Sequence, residues 1–550
     1  MRFPLPDPEH RARYAMAALA GLLTAASFPK GDVAGFAWAA PGLLLFSAAG
    51  LRRRPAFLAG FVGGFVFNLT ALYWLLHMPV PVGPFFAWVA LSAYCALYPA
   101  AWVWMCWSCF PRGKAGCGGE VGPSLDAVAA VPWLHRAAWA LACGAMWAAL
   151  EFILGRLLTG FPWLPLGVSQ HRLLPVVQLA SVTGVHGVSF VVVWFAVALC
   201  LTLLALARQP AARWQWLREL AVPALAVALV CWFGFKRLAE PPLTGRELRL
   251  ALVQPSIPQT LIFDPRETTN RFNRLIELSE AALASKPDLL VWPEAALPAL
   301  TPDMTARILA LVRSHRVWLL LGADDAEAAP GAADARDARY FNSAFLLDPS
   351  GDAAGRYRKQ RLVIFGEYVP FADALPFLRK LTPIEGGFTP GSGPSPMVMA
   401  APRARFSVLI CFEDVFAASG REAADVEADF LVNLTNDGWF GESAEQWQHA
   451  ANAAFRAVEN GLPLVRCTNN GLTCWVDACG RMRAVHFEGS ADVHQAGFKL
   501  VTLPLPAEGA PRPRTFYNRH GDWFGWCCVA ALAVGIVVAM RQTKAGAAVN

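Results

Sequence analysis

Residues 405–416 read RFSVLICFEDVF. Phe406 to Ile410 form a short apolar run bounded by charge, the pattern of a strand buried on both faces. The run delivers a thiol, Cys411, and then two carboxylates, Glu413 and Asp414, where the chain should leave its sheet. A free cysteine ordinarily packs as a small hydrophobe. The stretch alone therefore leaves Cys411 open to a core role or a chemical one, and its partners must be sought elsewhere in the chain.

Outward from this strand the pattern continues. RELRLALVQPS alternates and predicts a strand, 265–285 a helix, PDLLVWPE a buried strand, 302–315 a helix and VWLLLGAD a further strand. NSAFLLDPSG and RYRKQRL predict a strand pair turning at Asp348 to Gly351. A helix near 415–428, the strand DFLVNLTND, a helix over 443–460 and the strands LPLVRCTNN and GLTCWVD follow. Strands that alternate with helices and then pair predict a layered α/β domain over 245–510, sheets inside and helices outside. Residues 323–338, rich in Ala, Asp and Gly, read as a surface loop.

The remaining chain has another solvent. In 550 residues, 55% are hydrophobic, 16% are charged and 21 are tryptophan, a composition that places part of the protein in lipid. Apolar runs long enough to cross a bilayer occur at about 13–28, 33–50, 56–77, 84–110, 134–155, 186–207 and 220–238, within a first domain of 1–240, and an eighth lies at 523–540. Arg2, Arg11, Arg13, Arg52, Arg53, Arg54, Arg112, Lys114, Arg136, Arg208, Arg213, Arg218, Arg541 and Lys544 fall on one side of these runs. Only Lys30, Arg156 and Arg172 fall in the short loops of the other. This bias puts both termini in the cytoplasm and the 245–510 domain outside. The net charge of +6 is scattered in short groups between spans, which argues against nucleic acid as a partner.

Three strand ends carry the reactive groups. VWPEAALP brings Glu294 after an apolar run, RYRKQRLVIFGEYVP brings Lys359 and Glu367, and VLICFE brings Cys411 and Glu413. A carboxylate can take the proton of a thiol, and an ammonium can favour the thiolate and hold the oxyanion of a tetrahedral intermediate. Glu, Lys and Cys together make an acyl-transfer site. Singly, Glu294 could cap a helix, Lys359 could belong to a solvated basic edge and Cys411 could be core. Glu294 follows a strand too apolar to end in an unpaired charge without cause.

VWPEA, RKQRLVIFGEYVPF, LICFE, NLTNDGWFG and ENGLPLVRCTNNG, in this order between membrane spans, resemble the apolipoprotein N-acyltransferase family. The resemblance covers nearly the whole chain and implies an eight-helix membrane frame carrying an extracytoplasmic, nitrilase-like αββα sandwich in the bacterial inner membrane. It implies Glu294 as general base, Lys359 as oxyanion and thiolate stabiliser and Cys411 as nucleophile, with Glu367, Glu413 and Phe412 supporting the site. It also implies a ping-pong reaction. An acyl chain passes from the sn-1 position of a phospholipid such as phosphatidylethanolamine to Cys411, and then to the free amine of the diacylglyceryl-cysteine that begins an apolipoprotein. Arg361, Ile364 and Phe412 depart from the usual family residues, as does Phe263 where a tryptophan is common.

Phe365, Tyr368, Phe371 and Phe377 are too many aromatics for a polar loop, and some are expected to line access for an acyl chain. Residues 383–394, PIEGGFTPGSGP, with Phe388 alone among small residues, suit a lid or a plain surface loop. Phe263, Phe365, Tyr368 and Phe388 are thus the substrate candidates. No Cys/His spacing of zinc type, Gly-rich phosphate loop, HExxH or GxSxG elbow is present, so no metal or other cofactor is expected, and a monomer is. An amidase or nitrilase tethered to the membrane would share the Glu, Lys and Cys. A transporter would need more charge within its spans, where Glu151 stands alone. Cys474 and Cys479 could pair outside the cytoplasm, whereas Cys411 must stay unpaired to act.

Overall fold

The computed structural model describes residues 8–80, 83–111, 122–208, 217–240, 245–262, 264–297, 300–328, 338–370, 387–510, 512 and 514–547. The chain divides into two compact units. One comprises residues 240–519 together with Trp74–Pro84, and the other holds most of the apolar helices.

The first unit contains strands β1 (Arg246–Gln254), β2 (Leu289–Val291), β3 (Trp318–Ala328), β4 (Ala338–Leu347), β5 (Ala353–Arg358), β6 (Met397–Ala400), β7 (Arg403–Ile410), β8 (Phe430–Thr435), β9 (Leu464–Thr468), β10 (Cys474–Val476), β11 (Met482–Arg483) and β12 (Gly497–Leu505). They form two six-stranded sheets, ordered β12-β1-β2-β3-β4-β5 and β11-β10-β9-β8-β7-β6. In each sheet three central strands run parallel, β1 to β3 and β7 to β9. Parallel neighbours need crossovers, supplied by helices Thr268–Leu283, Pro302–His315, Ala417–Asp425 and Glu445–Asn460.

Side chains alternate along each strand, and the alternation sorts the core into layers. Leu250, Leu252, Leu289, Val291, Leu320, Phe406, Val408, Ile410, Val432, Leu434 and Val465 meet between the sheets. Leu290, Leu319 and Leu321 turn outward to the first helix pair, and Leu409, Leu431 and Leu464 to the second. The result is helix, sheet, sheet, helix, as expected. Residues 323–328, read from sequence as the start of a loop, instead continue β3 and pair with 338–343 of β4. Cross-strand hydrogen bonding overrides their weak strand propensity. Residues 329–337 lie outside the described residues.

Trp74–Pro84 follows directly on a membrane-type helix yet folds with the catalytic sheets. The Trp74 indole donates to Gln448 Oε1 at 3.0 Å, and its ring meets Phe440 edge-on at 4.6 Å.

Among the described residues four helices are long and apolar enough to cross a membrane: Gly83–Ser108, Trp133–Leu154, Val185–Arg208 and Leu217–Ala239. Helices Pro8–Ala26, Arg53–Ala71 and Trp523–Ala547 overlap three further predicted spans, but the second ends at Ala71, short of the expected 77, and Tyr73–His77 is a 3-10 segment. The predicted span 33–50 is not one helix. It divides into a 3-10 segment, Ala34–Trp38, and an eight-residue helix, Ala40–Ser47, with Pro41 in its first turn. Small residues let these helices touch: a Cβ on Gly21 would stand 2.2 Å from the Gly63 carbonyl oxygen. Arg136, counted above with loop charges, is buried in helix Trp133–Leu154. Its Nε donates to Glu219 Oε1 at 2.9 Å and a second nitrogen reaches the same carboxylate.

Candidate active site

Glu294, Lys359 and Cys411 follow β2, β5 and β7; crossovers align β2 and β7 with their parallel neighbours, and two antiparallel pairings, β3–β4 and β4–β5, return β5 to the direction of β3. Parity aims them. Tyr357 faces the space between the sheets, so Lys359, two residues on, faces it too, and Asn342 shares the parity of inward Ala344 and Leu346.

The Lys359 ammonium lies 2.8 Å from Glu367 Oε1 and 3.3 Å from Glu294 Oε1. Asn342 Nδ2 donates to the same two oxygens, at 2.8 Å to Glu294 and 3.0 Å to Glu367. The other Glu367 oxygen accepts the Val363 amide at 2.8 Å. Lys359 is 1% exposed and Glu294 7%. Such burial alone would neutralise a lysine, but the Glu367 and Glu294 carboxylates outweigh it and hold the ammonium charged well above its ordinary range. Burial and the Glu294 charge push the Cys411 thiol well above its ordinary value, while Lys359 and then the Thr435 side chain pull it down. At rest Cys411 is a thiol, so any attack by its sulfur would require a base to take the proton.

Glu413 does not point at the reacting atoms. Its Oε2 accepts the Ile410 amide at 2.7 Å and the Tyr357 hydroxyl at 2.8 Å, and its Oε1 accepts the amides of Gln360 at 2.7 Å and Arg361 at 3.0 Å. One carboxylate thereby ties the end of the nucleophile strand to the segment that carries Lys359. Burial raises its pKa, and the backbone amides lower it in compensation.

Phe412 stacks edge-on to Phe416 at 4.9 Å. Phe365 is 41% exposed and takes a positive φ of 59° in a turn closed by its amide on the Tyr368 carbonyl. Phe388 is half-buried. Its amide donates to the Glu367 carbonyl, and the amides of Thr389 and Gly391 donate to Tyr340 and Lys359. Residues 387–391 are thus stitched to the catalytic segments. Phe263, Phe371, Phe377 and 383–386 lie outside the described residues. Cys411, Cys467, Cys474 and Cys479 form no disulfide.

The sequence reading missed Asn342, Asp324, Thr435, His449 and Arg466. Asp324 stands opposite Asn342 in the β3–β4 register and shares the inward parity of Trp318 and Leu320. Desolvation, then the charges of Glu294 and Glu367, push its carboxyl up to about 7, although its outer edge is open to solvent. A polar residue at an inward strand position was the available signal. In the opposite sheet, Asn433 and Arg466 interrupt the outward rows of β8 and β9 in the same way.

Comparison with known proteins agrees with this architecture. Residues 249–502 match the carbon-nitrogen hydrolase family, and residues 20–198 match the apolipoprotein N-acyltransferase N-terminal domain. An apolipoprotein N-acyltransferase of Geobacter metallireducens is 35% identical over 555 residues, covering 98% of each chain. One from Rhizobium meliloti is 31% identical and covers 91% of this chain and 90% of its own. Among solved structures, an amidase from Nesterenkonia sp. aligns over 52% of this chain and 99% of its own, at 18% identity and a TM-score of 0.35.

Proposed function

The chain belongs to the apolipoprotein N-acyltransferase family, and from that premise we propose that Glu294, Lys359 and Cys411 carry acyl transfer from a phospholipid to a lipoprotein amine in two half-reactions. In the first, Glu294 accepts the Cys411 proton as sulfur attacks the sn-1 ester carbonyl of a phospholipid, phosphatidylethanolamine being the expected donor. Lys359 Nζ, held between Glu294 and Glu367, donates to the developing oxyanion. The ester C–O bond breaks, the leaving alkoxide takes the proton from Glu294, and lysophospholipid departs. In the second, the α-amine of a diacylated apolipoprotein attacks the thioester, Glu294 takes a proton from nitrogen, the C–S bond breaks and the thiol is restored.

The Lys/Arg bias supports a multi-pass inner-membrane protein with both termini cytoplasmic and the catalytic unit periplasmic. Both substrates are lipid-anchored, so a monomer held at that surface would meet them in two dimensions. Phe365, 41% exposed two residues before Glu367, and Phe388, whose amide bonds the Glu367 carbonyl, would offer apolar surface to an acyl chain.

The convergence of Glu294, Lys359 and Cys411 carries the proposal. Incubating the purified protein with phosphatidylethanolamine vesicles should add one acyl group by mass to the Cys411 peptide, labile to hydroxylamine and missing from Cys411→Ala. Hydrolysis of small amides without that adduct would overturn it.

A further inference from the structure

Cys411 takes φ +53°, a left-handed conformation that is unfavourable for a non-glycine residue and persists only where the surroundings impose it. Two donors grip its carbonyl oxygen: Asn433 Nδ2 from β8 at 2.9 Å, and His449 Nε2 from helix Glu445–Asn460 at 3.3 Å.

Behind them lies a cluster of ionisable groups that the proposed chemistry does not use. His449 Nε2 is 2.7 Å from Asp414 Oδ1, and its Nδ1 is 3.0 Å from Asp437 Oδ1 and 3.6 Å from Glu445 Oε1. Arg466 closes the ring, 2.7 Å from Asp414 Oδ2, 3.3 Å from Asp437 Oδ2 and 3.3 Å from Asn433 Oδ1. Each of these residues is 0–1% exposed. The cluster also approaches the nucleophile from a second direction. The Thr435 hydroxyl donates to Asp437 Oδ1 at 3.1 Å, and the same side chain pulls the Cys411 pKa down.

The charges close. Burial opposes protonation of His449, but Asp414 and then Asp437 push its pKa up to about 10, so it is an imidazolium. Burial and the neighbouring Asp437 keep Glu445 protonated. Two carboxylates then face two cations. Asp437, Glu445 and His449 also present donor atoms within 4.8 Å of one another, as a metal site would. Arg466 and the imidazolium proton occupy the positions from which those carboxylates would bind a cation.

We infer that His449 is a positioning residue for the nucleophile, fixing through the Cys411 carbonyl the direction in which the thiol attacks. The inference rests on Cys411 being the nucleophile. A directional role of this kind is valuable because a displacement near 1 Å at a reacting atom costs about 100-fold in rate.

The test uses the full-length protein in detergent with phosphatidylethanolamine mixed micelles, comparing wild type, His449→Gln and Asn433→Ala. Thioester formation is followed in a single turnover and divided by the number of Cys411 thiols that iodoacetamide can titrate. Alkylation by a small electrophile needs a thiolate but no particular approach, so it separates reactivity from aim. His449→Gln should slow thioester formation per titrated thiol by about 100-fold, leave the half-saturating phospholipid concentration near that of wild type and change the alkylation rate only a few-fold. Asn433→Ala removes the other donor without altering charge. It should show the same split at about 10-fold, and it decides the matter if His449→Gln does not accumulate. An unchanged rate per thiol, a loss matched equally by alkylation, or a stoichiometric metal present in wild type and lost from His449→Gln would each overturn the inference. A wild-type protein that alkylates at Cys411 yet forms no thioester would instead overturn the assignment of the nucleophile on which it rests.

Discussion

Two charged clusters flank Cys411 and are built on opposite plans. On the Lys359 side, Glu294 and Glu367 hold one cation, Lys359, while exposed Asp324 feels the charges of both carboxylates and exposed Phe365 lies two residues before Glu367. Toward the helix side, Asp414 and Asp437 are matched one to one by Arg466 and His449, Glu445 is protonated, and no member is open to water. The first cluster is unbalanced and reachable, which suits groups that must move protons. The second is balanced and sealed. It can sustain a strained backbone because any change in its charge state would leave a buried ion without a partner.

The largest effect should come from removing the cation of the open cluster. Lys359→Met should reduce thioester formation by about 10²–10³-fold, the usual cost of losing one oxyanion donor. Its thermal midpoint should fall less than that of the sealed-cluster variant described next, because Glu294 and Glu367 can take up protons or water at the site. Arg466→Met inverts the pattern. Stranding Asp414 and Asp437 should cost about 3–5 kcal/mol of stability, visible as a midpoint lowered by roughly 10 °C for a domain of this size, while the surviving folded molecules retain more thioester formation than Lys359→Met. If the two variants lose stability and activity in equal proportion, the contrast between the clusters is wrong.

The open cluster was far more legible in the sequence than the sealed one, for a physical reason. Glu294 and Cys411 each follow an apolar strand and Lys359 sits in the basic run RYRKQRL, so local windows suffice to find them. Arg466 and His449 lie on a strand and a helix that the fold joins to the Asp414 turn, and no window contains all three. The clue was present in LVRCT, where one arginine interrupts an apolar strand, but parity had to be known before it could be assigned to the helix side. Glu413 was found for its place beside Cys411, yet its work is to bind four donors from two segments, which only the tertiary structure reveals. In the membrane unit, hydropathy located the apolar runs. It did not reveal that 33–50 breaks at Ala39 or that Arg136 is internally paired with Glu219, since neither a proline at a helix start nor an ion pair between helices alters mean hydropathy.

The smallest effect tests the imbalance of the open cluster. Asp324, pushed up to about 7 by desolvation and by Glu294 and Glu367, is neutral below that pH and an anion above it. Each added negative charge near Cys411 opposes formation of the thiolate. In wild type, therefore, the rise of alkylation rate with pH should be held back as Asp324 ionises between about pH 6 and 8. Asp324→Asn keeps the size and parity of the side chain but never gains the charge, so thiolate should form at lower pH. The alkylation midpoint should move down by a few tenths of a pH unit, and the rate at pH 8 should rise relative to wild type, with the two proteins converging below pH 6. The shift should shrink in high salt, because Asp324 is open to solvent at its edge and its field is screened. A midpoint that stays fixed, or moves upward, would mean that Asp324 is not part of the field felt by the nucleophile, and that the open cluster is only Glu294, Glu367 and Lys359.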